Sequence, residues 1–534
     1  MRRLRQRCLG HAANAGSKAA LGDGMVGAIY VRETSRVGPI PLSTKFFQGL
    51  GALPDVFKGF GFNTFLLFFY SQVLGAPPVL VATAIALTTV LDGAVDPLIG
   101  SFSDNLKSRL GRRHPLMYAS ALPLALGLYL VFSPPVGLDH NGLFAWIFAT
   151  TALVSIAISL FSVPWTALMA ELSDDYAERT EIVVWRYAVG WIGGLAFTFS
   201  VWTFIFPATP AFPRGQLNAD NYVLFAPVLA VCVGLAALVA TQLTRREIPF
   251  LVQPAAASSF SLRRMIDELF SMLSNRDFLI LFMGALLSAC IGGTTSALEI
   301  YMSTYFWGLG SAELRWFSLA FFGAAAAFVL LPRMQLVLDK KILMLGCFGL
   351  LLLDGVIMIS LRLLEVLPAN GEPALLILLL ANTIFRTFLG TVLGVMFISM
   401  LADSLDAQEL RNGKRQEGMF AAALSFSTKA TAGVGVLAGG LLLQNVIQWP
   451  VGKTTGEVDP DIVFRLGLVA GILVPLAYVA PLLVGMGYRI TREAHAEIRR
   501  QVAAQRLSSF GHDPDPPAAP PTTANIPLTE RTAP

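Results

Sequence analysis

Two aspartates, Asp92 and Asp96, lie four residues apart in the apolar stretch that runs from Val90 to Ile99. Residues at i and i+4 share one face of a helix, with side chains about 5–6 Å apart. Two ionised carboxylates at that distance would repel each other by about 3 kcal/mol at an effective dielectric near 20, and an ionised carboxylate inside a bilayer-spanning helix is costly in itself. The spacing therefore predicts a positive group between the two side chains.

The composition of the chain is that of a polytopic membrane protein. Of its 534 residues, 54% are hydrophobic and only 14% are charged, whereas roughly a quarter of the residues in a soluble domain carry charge. Apolar runs recur along nearly the whole length, and each is long enough to cross a hydrocarbon core of ~30 Å as a helix. We predict twelve spans, over residues 46–74, 79–103, 115–135, 143–168, 184–208, 222–243, 277–309, 314–336, 341–367, 373–401, 419–447 and 462–486.

The distribution of lysine and arginine predicts the orientation of these spans. The two tails, the loops on their side and the adjoining span ends hold 30 of these basic residues. The opposite loops and their adjoining span ends hold four, Arg214, Arg315, Arg362 and Lys453. Because positively charged loops stay in the cytoplasm, both termini are predicted to be cytoplasmic. We expect a multi-pass protein of the cell membrane, the inner membrane if the source is bacterial.

Several classes of function are excluded by what the sequence lacks. The four cysteines are scattered, at Cys8, Cys232, Cys290 and Cys347, so they suggest neither a disulfide framework nor a metal cluster. No nucleophile–base set, metal-ligand spacing or phosphate-binding loop is present, and we predict no enzyme activity and no organic cofactor. The basic residues are divided among cytoplasmic loops rather than gathered on one face, which argues against nucleic acid as a partner.

The spans fall into two sets of six. The longest break between spans, Thr244 to Arg276, contains apolar residues at helical spacing between positions 262 and 273, which predicts an amphipathic helix on the cytoplasmic membrane surface. Ala170–Arg179 follows the fourth span and Ala402–Arg411 follows the tenth, which indicates a weak parallel repeat. Two sets of six spans related by that symmetry predict an all-α membrane protein with the major facilitator fold, whose substrate site lies between the halves.

The same pattern predicts the domain boundaries. Residues 1–44 form a cytoplasmic N-terminal segment, partly disordered, and residues 45–243 and 277–487 form the two six-helix bundles. Residues 244–276 form the linker. Residues 488–534, rich in Pro, Ala and Thr toward the end, are expected to form a cytoplasmic tail that is largely disordered.

Four groups of residues, taken in order and spacing, carry a family resemblance. They are Asp92–Gly100 with Asp104 and Ser108–Pro115, then Val163–Leu168, then Ala402–Asp406 with Gly413–Gly418, and finally Ser425–Lys429. Over roughly residues 43 to 488, the chain resembles the glycoside-pentoside-hexuronide:cation symporter family, the melibiose-permease group within the major facilitators.

The resemblance implies a cation site. In such proteins the matching residues of the second span bind the coupling cation, sodium or a proton, with a hydroxyl on span four and a lysine on span eleven. Here those positions are Asp92, Asp96, Ser159 and Lys429. Two carboxylates and one ammonium leave a net charge of minus one, which one monovalent cation neutralises. The open alternative is a permanent ion pair that holds spans two and eleven together.

The resemblance is weaker at the substrate site. Sugar-specific members carry acids on spans one and four, but here these positions hold Val56, with Asp55 one residue early, and Ser162. Arg186 matches an arginine that lines the family's sugar site. Asp55 and Lys58 either bind substrate or neutralise each other. A related branch, similar to the vertebrate sodium-dependent lysolipid transporter, keeps the cation acids and carries amphiphiles instead.

Other polar or aromatic residues within the spans are further candidates. Trp165 could stack on a substrate ring, or pack between helices after Pro164. Glu299 and Arg386 could each touch substrate, form an ion pair across the cavity, or extend to a membrane interface. Asp354 and Arg465 lie in spans nine and twelve, which are peripheral in this architecture, and a structural role is expected for both.

Mixed charges also crowd two cytoplasmic loops, after span two and after span ten. We expect ion pairs between these loops to bridge the two halves and to stabilise the state closed to the cytoplasm. Alternatively, the arginines serve topology alone by anchoring loops to anionic lipid. The candidate gating residues are Asp104, Arg109, Arg112, Arg113, Asp403, Asp406, Arg411, Lys414, Arg415 and Glu417.

Together these features predict a secondary active transporter that couples sodium or proton entry to solute uptake by alternating access. A sugar or glycoside is the first choice of cargo, and a lysolipid-like amphiphile is the second. A rival from another class is a membrane sensor that kept the fold without transporting. The expected partners are membrane lipid and the small-molecule substrate, and the protein is expected to be monomeric.

Overall fold

The computed structural model describes residues 30–32, 38–173, 175–254, 275–412, 417–452 and 458–510, and most of these are helical. The helices are α1 Leu42–Leu50, α2 Leu53–Gly61, α3 Pro78–Asn105, α4 His114–Val131, α5 His140–Leu172, α6 Tyr176–Ser200, α7 Ala219–Thr244, α8 Arg276–Tyr301, α9 Ser311–Leu314, α10 Phe321–Val337, α11 Lys340–Leu363, α12 Pro373–Asn412, α13 Glu417–Leu441, α14 Pro460–Leu468, α15 Val474–Leu476, α16 Val479–Met486 and α17 Arg492–Phe510. Strand β1, Tyr30–Arg32, pairs antiparallel with β2, Val252–Pro254.

Eleven helices in the described part of the chain are long and apolar enough to cross a membrane. They correspond to the second to twelfth predicted spans. The first predicted span is helical from Leu42 to Val73 but is divided into α1, α2 and two π-helical segments, Phe62–Leu66 and Phe69–Val73. Residues 53–73 are helical without a break, but this stretch carries Asp55 and Lys58 and is not among the eleven, so the count of twelve and the cytoplasmic position of the termini stay predictions.

The division of the first span lies beside a tryptophan. Helix α1 ends at Leu50 with Gly51 as its C-cap, and Pro54 stands in the first turn of α2, where its missing N–H costs no helical hydrogen bond. The Trp165 side chain occupies the space beside Gly51, so that a Cβ there would lie 2.0 Å from its Nε1 atom. Only glycine fits at this position, and α5 can therefore approach the break closely.

Several helices begin at a residue that suits an N-cap. A carboxylate or amide oxygen accepts a hydrogen bond from a backbone N–H of the first turn, which satisfies one of the donors left free at a helix start. Five of the described helices begin in this way, with Asp139 before α5, Asp175 before α6, Asn218 before α7, Asn275 before α8 and Asp459 before α14.

The helices form two groups that meet along α13. In the N-terminal half, α4 packs against α5 and α7, and α3 packs against α5. In the C-terminal half, α12 packs against α10 and α11, and α16 packs against α8. Helix α13 packs against both α8 of its own half and α3 of the other half. The amphipathic helix predicted between positions 262 and 273 lies outside the described residues.

At the end of the molecule predicted to face away from the cytoplasm, the two halves are in contact. The buried Gln216 side chain donates to Thr304 Oγ1 at 3.2 Å and to the Leu309 carbonyl at 3.1 Å. The Trp449 indole donates to Gln72 Oε1 at 2.8 Å. These contacts close that end of the interface between the halves.

Part of the predicted tail is helical. Helix α17 occupies part of the segment 488–534, which was expected to be largely disordered, and it packs against α12. His495 Nε2 lies 3.1 Å from Asp406 Oδ2 and 3.4 Å from Asp403 Oδ1. Arg492 donates to backbone carbonyls at the end of α10, among them Gln335. The amino-acid composition of the tail does not indicate these contacts, because the partner residues lie far away in the chain.

Candidate functional site

The four residues of the predicted cation site are brought together from three helices. Lys429 Nζ on α13 lies 2.6 Å from Asp96 Oδ2 and 2.9 Å from Asp92 Oδ2. On the other side of the carboxylates, Ser159 Oγ on α5 lies 2.6 Å from Asp96 Oδ1 and 3.1 Å from Asp92 Oδ1. One face of the acid pair therefore meets an ammonium, and the opposite face meets a hydroxyl.

This arrangement resolves the repulsion between the two acids, because Lys429 lies within ion-pair distance of both. The charges still sum to minus one. A serine hydroxyl carries a single hydrogen, so Ser159 can donate to only one of the two Oδ1 atoms at a time. The two Oδ1 atoms and the Ser159 oxygen are hard oxygen ligands of the kind that alkali and alkaline-earth cations take, and a monovalent cation or a proton would fit their charge.

Close packing of α13 against α3 makes these contacts possible. A Cβ at Gly433 would lie 2.9 Å from the Thr89 side chain, and one at Gly93 would lie 2.7 Å from the Phe426 ring. Small residues at such positions let two membrane helices approach. With the helix axes this near, the Lys429 side chain reaches both carboxylates.

A cavity of about 470 Å³ lies between the halves and reaches this site. Asp92 belongs both to the acid pair and to the lining of the cavity, together with Asp55 and Lys58 from the N-terminal half. The C-terminal half contributes small residues of α8 and α13, among them Ser296 and Gly433. Its volume is within the range of small-molecule binding sites, roughly 300–1,000 Å³.

The chain matches the sequence profile of the family described as MFS/sugar transport protein over residues 47–492. The chain belongs to this family. The motif-based resemblance to the glycoside-pentoside-hexuronide:cation symporters is thereby confirmed. The protein is a multi-pass membrane transporter of the cell membrane, not an enzyme.

Named relatives of this transporter agree with that assignment. An uncharacterized symporter of Synechocystis is 24% identical, over 88% of this chain and 97% of its own. YagG of Escherichia coli, named as a proposed glycoside/cation symporter, is 24% identical over 89% of this chain and 98% of its own. The isoprimeverose transporter of Lactiplantibacillus pentosus is 25% identical over 76% and 80%.

Solved structures show the same fold at low sequence identity. The nucleoside transporter NupG superimposes with a TM-score of 0.54 at 12% identity, over 84% of this chain and 99% of its own. A proton-dependent oligopeptide transporter gives 0.53 at 12% identity, over 86% and 99%. The all-α major facilitator fold predicted from the sequence is confirmed.

One predicted substrate residue of the transporter has a packing role. The Trp165 side chain is fully buried and stacks on Phe161. Its indole N–H donates to the Gln48 backbone carbonyl, and the Gln48 side-chain amide donates to the Trp165 backbone carbonyl. The guanidinium of Arg186 lies 4.1 Å from the centroid of its ring. No face of the ring is accessible in this structure, which favours the packing alternative, and stacking of the ring on substrate stays a prediction. Ser162 is half-buried, and the described lining of the central cavity does not include it.

Glu299 and Arg386 line a different cavity from the central one. This second cavity, about 80 Å³, lies within the C-terminal half and also contains Asp354. Arg386 Nε lies 3.7 Å from Asp354 Oδ2. The structure does not support contact of Glu299 and Arg386 with a substrate in the central cavity. Asp354, for which we expected a structural role in a peripheral span, is the carboxylate at the centre of this group. The signal that identified Asp92, a carboxylate in an apolar run, was also present at Asp354.

The candidate gating residues of the transporter form ion pairs inside each half. In the N-terminal half, Arg113 lies 2.6 Å from Asp104 and 2.7 Å from Glu171, and Arg112 lies 2.8 Å from Glu171. Arg109 is exposed. Glu171 is not among the gating candidates predicted from the sequence, although it belongs to the Ala170–Arg179 segment that we compared with Ala402–Arg411.

In the C-terminal half, Asp403 lies 2.6 Å from Lys340, a partner that the sequence did not suggest. The side chains of Arg411, Lys414, Arg415 and Glu417 lie outside the described residues. Because the halves here are in contact at the opposite end, bridges that form when the cytoplasmic end closes stay a prediction.

Proposed function

We propose that this protein is a cation-coupled symporter of a sugar or glycoside that works by alternating access. The observation that carries the proposal is the position of the acid pair. Asp92 and Asp96 meet Lys429 across the boundary between the halves, and Asp92 also lines the central cavity. A cation bound there is adjacent both to the substrate space and to the contact that changes when the halves rock.

Charge explains how the cation would act. Lys429 belongs to the C-terminal half, whereas both acids and Ser159 belong to the N-terminal half. A sodium ion or proton at the Oδ1 side of the acids would satisfy the remaining negative charge and weaken the hold of the carboxylates on Lys429. The ion pair between the halves then depends on occupancy, which a permanent helix-joining pair would not.

Coupling to substrate would pass through Asp92. Once the cation neutralises this carboxylate, a neutral solute in the cavity no longer faces an unbalanced charge in a water-poor space. The effect is reciprocal, so bound substrate must raise the affinity for the cation by the same factor. The polar lining from Asp55, Lys58 and Asn63 supplies hydrogen-bond donors and acceptors for hydroxyl groups. Since the cavity lies between the halves of one chain, we infer that the monomer is the transporting unit.

The decisive experiment uses purified protein in sealed vesicles. Radiolabelled glycosides and sugars are offered under a sodium gradient or a proton gradient separately, and a lysolipid panel is offered in parallel. We expect accumulation of a glycoside against its gradient with one of the two ions. Accumulation of lysolipid alone would replace the sugar assignment with the amphiphile one.

The variants Asp92→Asn and Asp96→Asn supply the mechanistic control. Each should abolish gradient-driven accumulation while the protein still inserts and binds ligand weakly. Unchanged accumulation in both would reject the cation role of the pair. Ligand binding by the natural protein without accumulation under either gradient would favour the sensor.

A further inference from the structure

A second intramembrane cavity lies entirely within the C-terminal half. It is enclosed by α8, α11, α12 and the last span, and its volume is about 80 Å³. Its polar lining includes Glu299 of α8, Asp354 of α11, Asn382 and Arg386 of α12, and Tyr478 between α15 and α16. The substrate cavity between the halves does not share these residues.

The Asp354 carboxylate in this cavity is incompletely satisfied. Its side chain is 10% exposed. Asn382 Nδ2 donates to Oδ1 at 2.5 Å, but no donor among the residues the structure describes makes a hydrogen bond to the buried Oδ2 atom. The nearest cation, Arg386 Nε at 3.7 Å, is beyond hydrogen-bonding distance. A buried carboxylate oxygen without a donor is costly, so a proton, a cation or water must satisfy it.

Size and charge restrict what can occupy the cavity. Sites for small organic molecules measure roughly 300–1,000 Å³, whereas this cavity has room only for an ion or a few water molecules. Glu299, Asp354 and Arg386 sum to a charge of minus one. Asp92, Asp96 and Lys429 give the same sum in the other half. A single monovalent cation would neutralise each group.

We propose that Asp354, together with Asn382, Arg386 and Glu299, forms a second site for one monovalent cation, held as a proton on Oδ2 or as a sodium ion with water. The inference extends the proposed cation coupling. Helix α8, which carries Glu299, is also bonded to the helix that carries Lys429, since Thr294 Oγ1 donates to the Gly435 carbonyl at 2.9 Å. Occupancy of the second site would therefore act on the packing of α8 beside α13.

The test measures binding rather than transport, and it uses the full chain in detergent. Binding of radioactive sodium is counted per chain for the natural protein, Asp354→Asn and Asp92→Asn. In parallel, infrared spectroscopy follows the absorption of protonated carboxyl groups as the pH is varied. If sodium occupies the second site, Asp354→Asn binds one sodium ion fewer than the natural protein, whereas Asp92→Asn keeps the ion at the second site.

If a proton occupies the second site, Asp354→Asn leaves the sodium count unchanged but removes one titrating carboxyl absorption, which persists in Asp92→Asn. Asp461 is an exposed acid at the start of the last span, and Asp461→Asn is the matched control, which should change neither the sodium count nor the carboxyl absorption that Asp354→Asn removes. Asp354→Asn protein with the same sodium count and the same carboxyl titration as the natural protein would overturn the proposal. The infrared signal of Asp354 depends neither on transport nor on an intact Asp92 site. Failure of the proposed symport would therefore appear in the transport assay without removing this signal.

A second variant separates loss of a site from loss of structure. Arg386→Gln removes the positive charge 3.7 Å from Asp354, and the second site should then bind its cation about tenfold more tightly, or its carboxyl should keep its proton to a pH about one unit higher. A variant that merely damaged packing would weaken binding. No change, or a weakening, in Arg386→Gln would also overturn the proposal.

Discussion

Lys429 on α13 and Asp96 on α3 form an ion pair of 2.6 Å across the boundary between the two halves of the transporter. At the far end of the molecule, Gln216 and Trp449 join the halves by hydrogen bonds. The ion pair differs from these neutral contacts because its strength depends on the charge of its neighbours. Under the proposed coupling, this ion pair is therefore a contact between the halves that a bound cation would regulate.

Removing the hydroxyl that faces both acids should weaken the cation site without destroying it. In Ser159→Ala, the two Oδ1 atoms lose an oxygen neighbour at 2.6 and 3.1 Å. We expect the affinity for the coupling cation to fall about tenfold, which corresponds to one lost hydrogen bond to a charged group. The cation concentration that gives half-maximal uptake measures this change. Ser162→Ala, almost one turn further along α5, should leave that concentration unchanged, and an equal effect of both variants would argue against the assigned role.

Replacing the ammonium with an uncharged side chain of similar length should tighten cation binding. Lys429→Met leaves a net charge of minus two on Asp92 and Asp96, so we expect the affinity for the cation to rise about tenfold while gradient-driven accumulation falls. Calorimetry of the purified variant and uptake into vesicles give the two values. If the affinity is unchanged, Lys429 does not compete with the cation, and its contact with the acids is structural.

Breaking the contact at the end predicted to face away from the cytoplasm should favour the state in which that non-cytoplasmic end is open. Gln216→Ala loses hydrogen bonds to Thr304 and to the Leu309 carbonyl, each contributing about 0.5–1.5 kcal/mol. Together the two bonds contribute about 1–3 kcal/mol, so the open population should rise about 5- to 150-fold. Distances between spin labels at Ala211 and Val366, one on each half, report the opening.

The matched control for this variant is Gln242→Ala, whose partner Tyr118 lies in the same half. It should leave the label distances as they are. Identical distance distributions for Gln216→Ala and the natural protein would show that the hydrogen bonds of Gln216 do not hold the halves together.

The close contact between Gly51 and Trp165 makes a prediction about stability. In Gly51→Ala, the new methyl group would lie 2.0 Å from Trp165 Nε1, and overpacking of this kind costs about 1–3 kcal/mol. Gly59→Ala is a matched control in α2, because a Cβ there meets no atom within 4 Å. Thermal unfolding in detergent should show a lower transition temperature for Gly51→Ala alone. Equal temperatures for the two variants would mean that the first span can shift away from Trp165.

Local properties of the sequence determined the membrane helices and the acid pair. A hydropathic run long enough to cross the bilayer forms a helix wherever it occurs, because the membrane offers no other partner for its backbone groups. The helix period alone places Asp92 and Asp96 on one face. The choice of Ser159 and Lys429 as their neighbours came from the family resemblance, since nothing local in spans four and eleven points to span two.

Only the tertiary structure decided the surroundings of the other candidates. The helix pattern of α5 gives Trp165 no preferred neighbour, but the break at Gly51 and the Arg186 side chain enclose its ring. Arg386 could have faced the central cavity, yet the packing of α12 against α11 directs it to Asp354. The physical reason is that sequence periodicity fixes which residues share a face of a helix, whereas the rotation and depth of each helix among its neighbours depend on contacts between residues far apart in the chain.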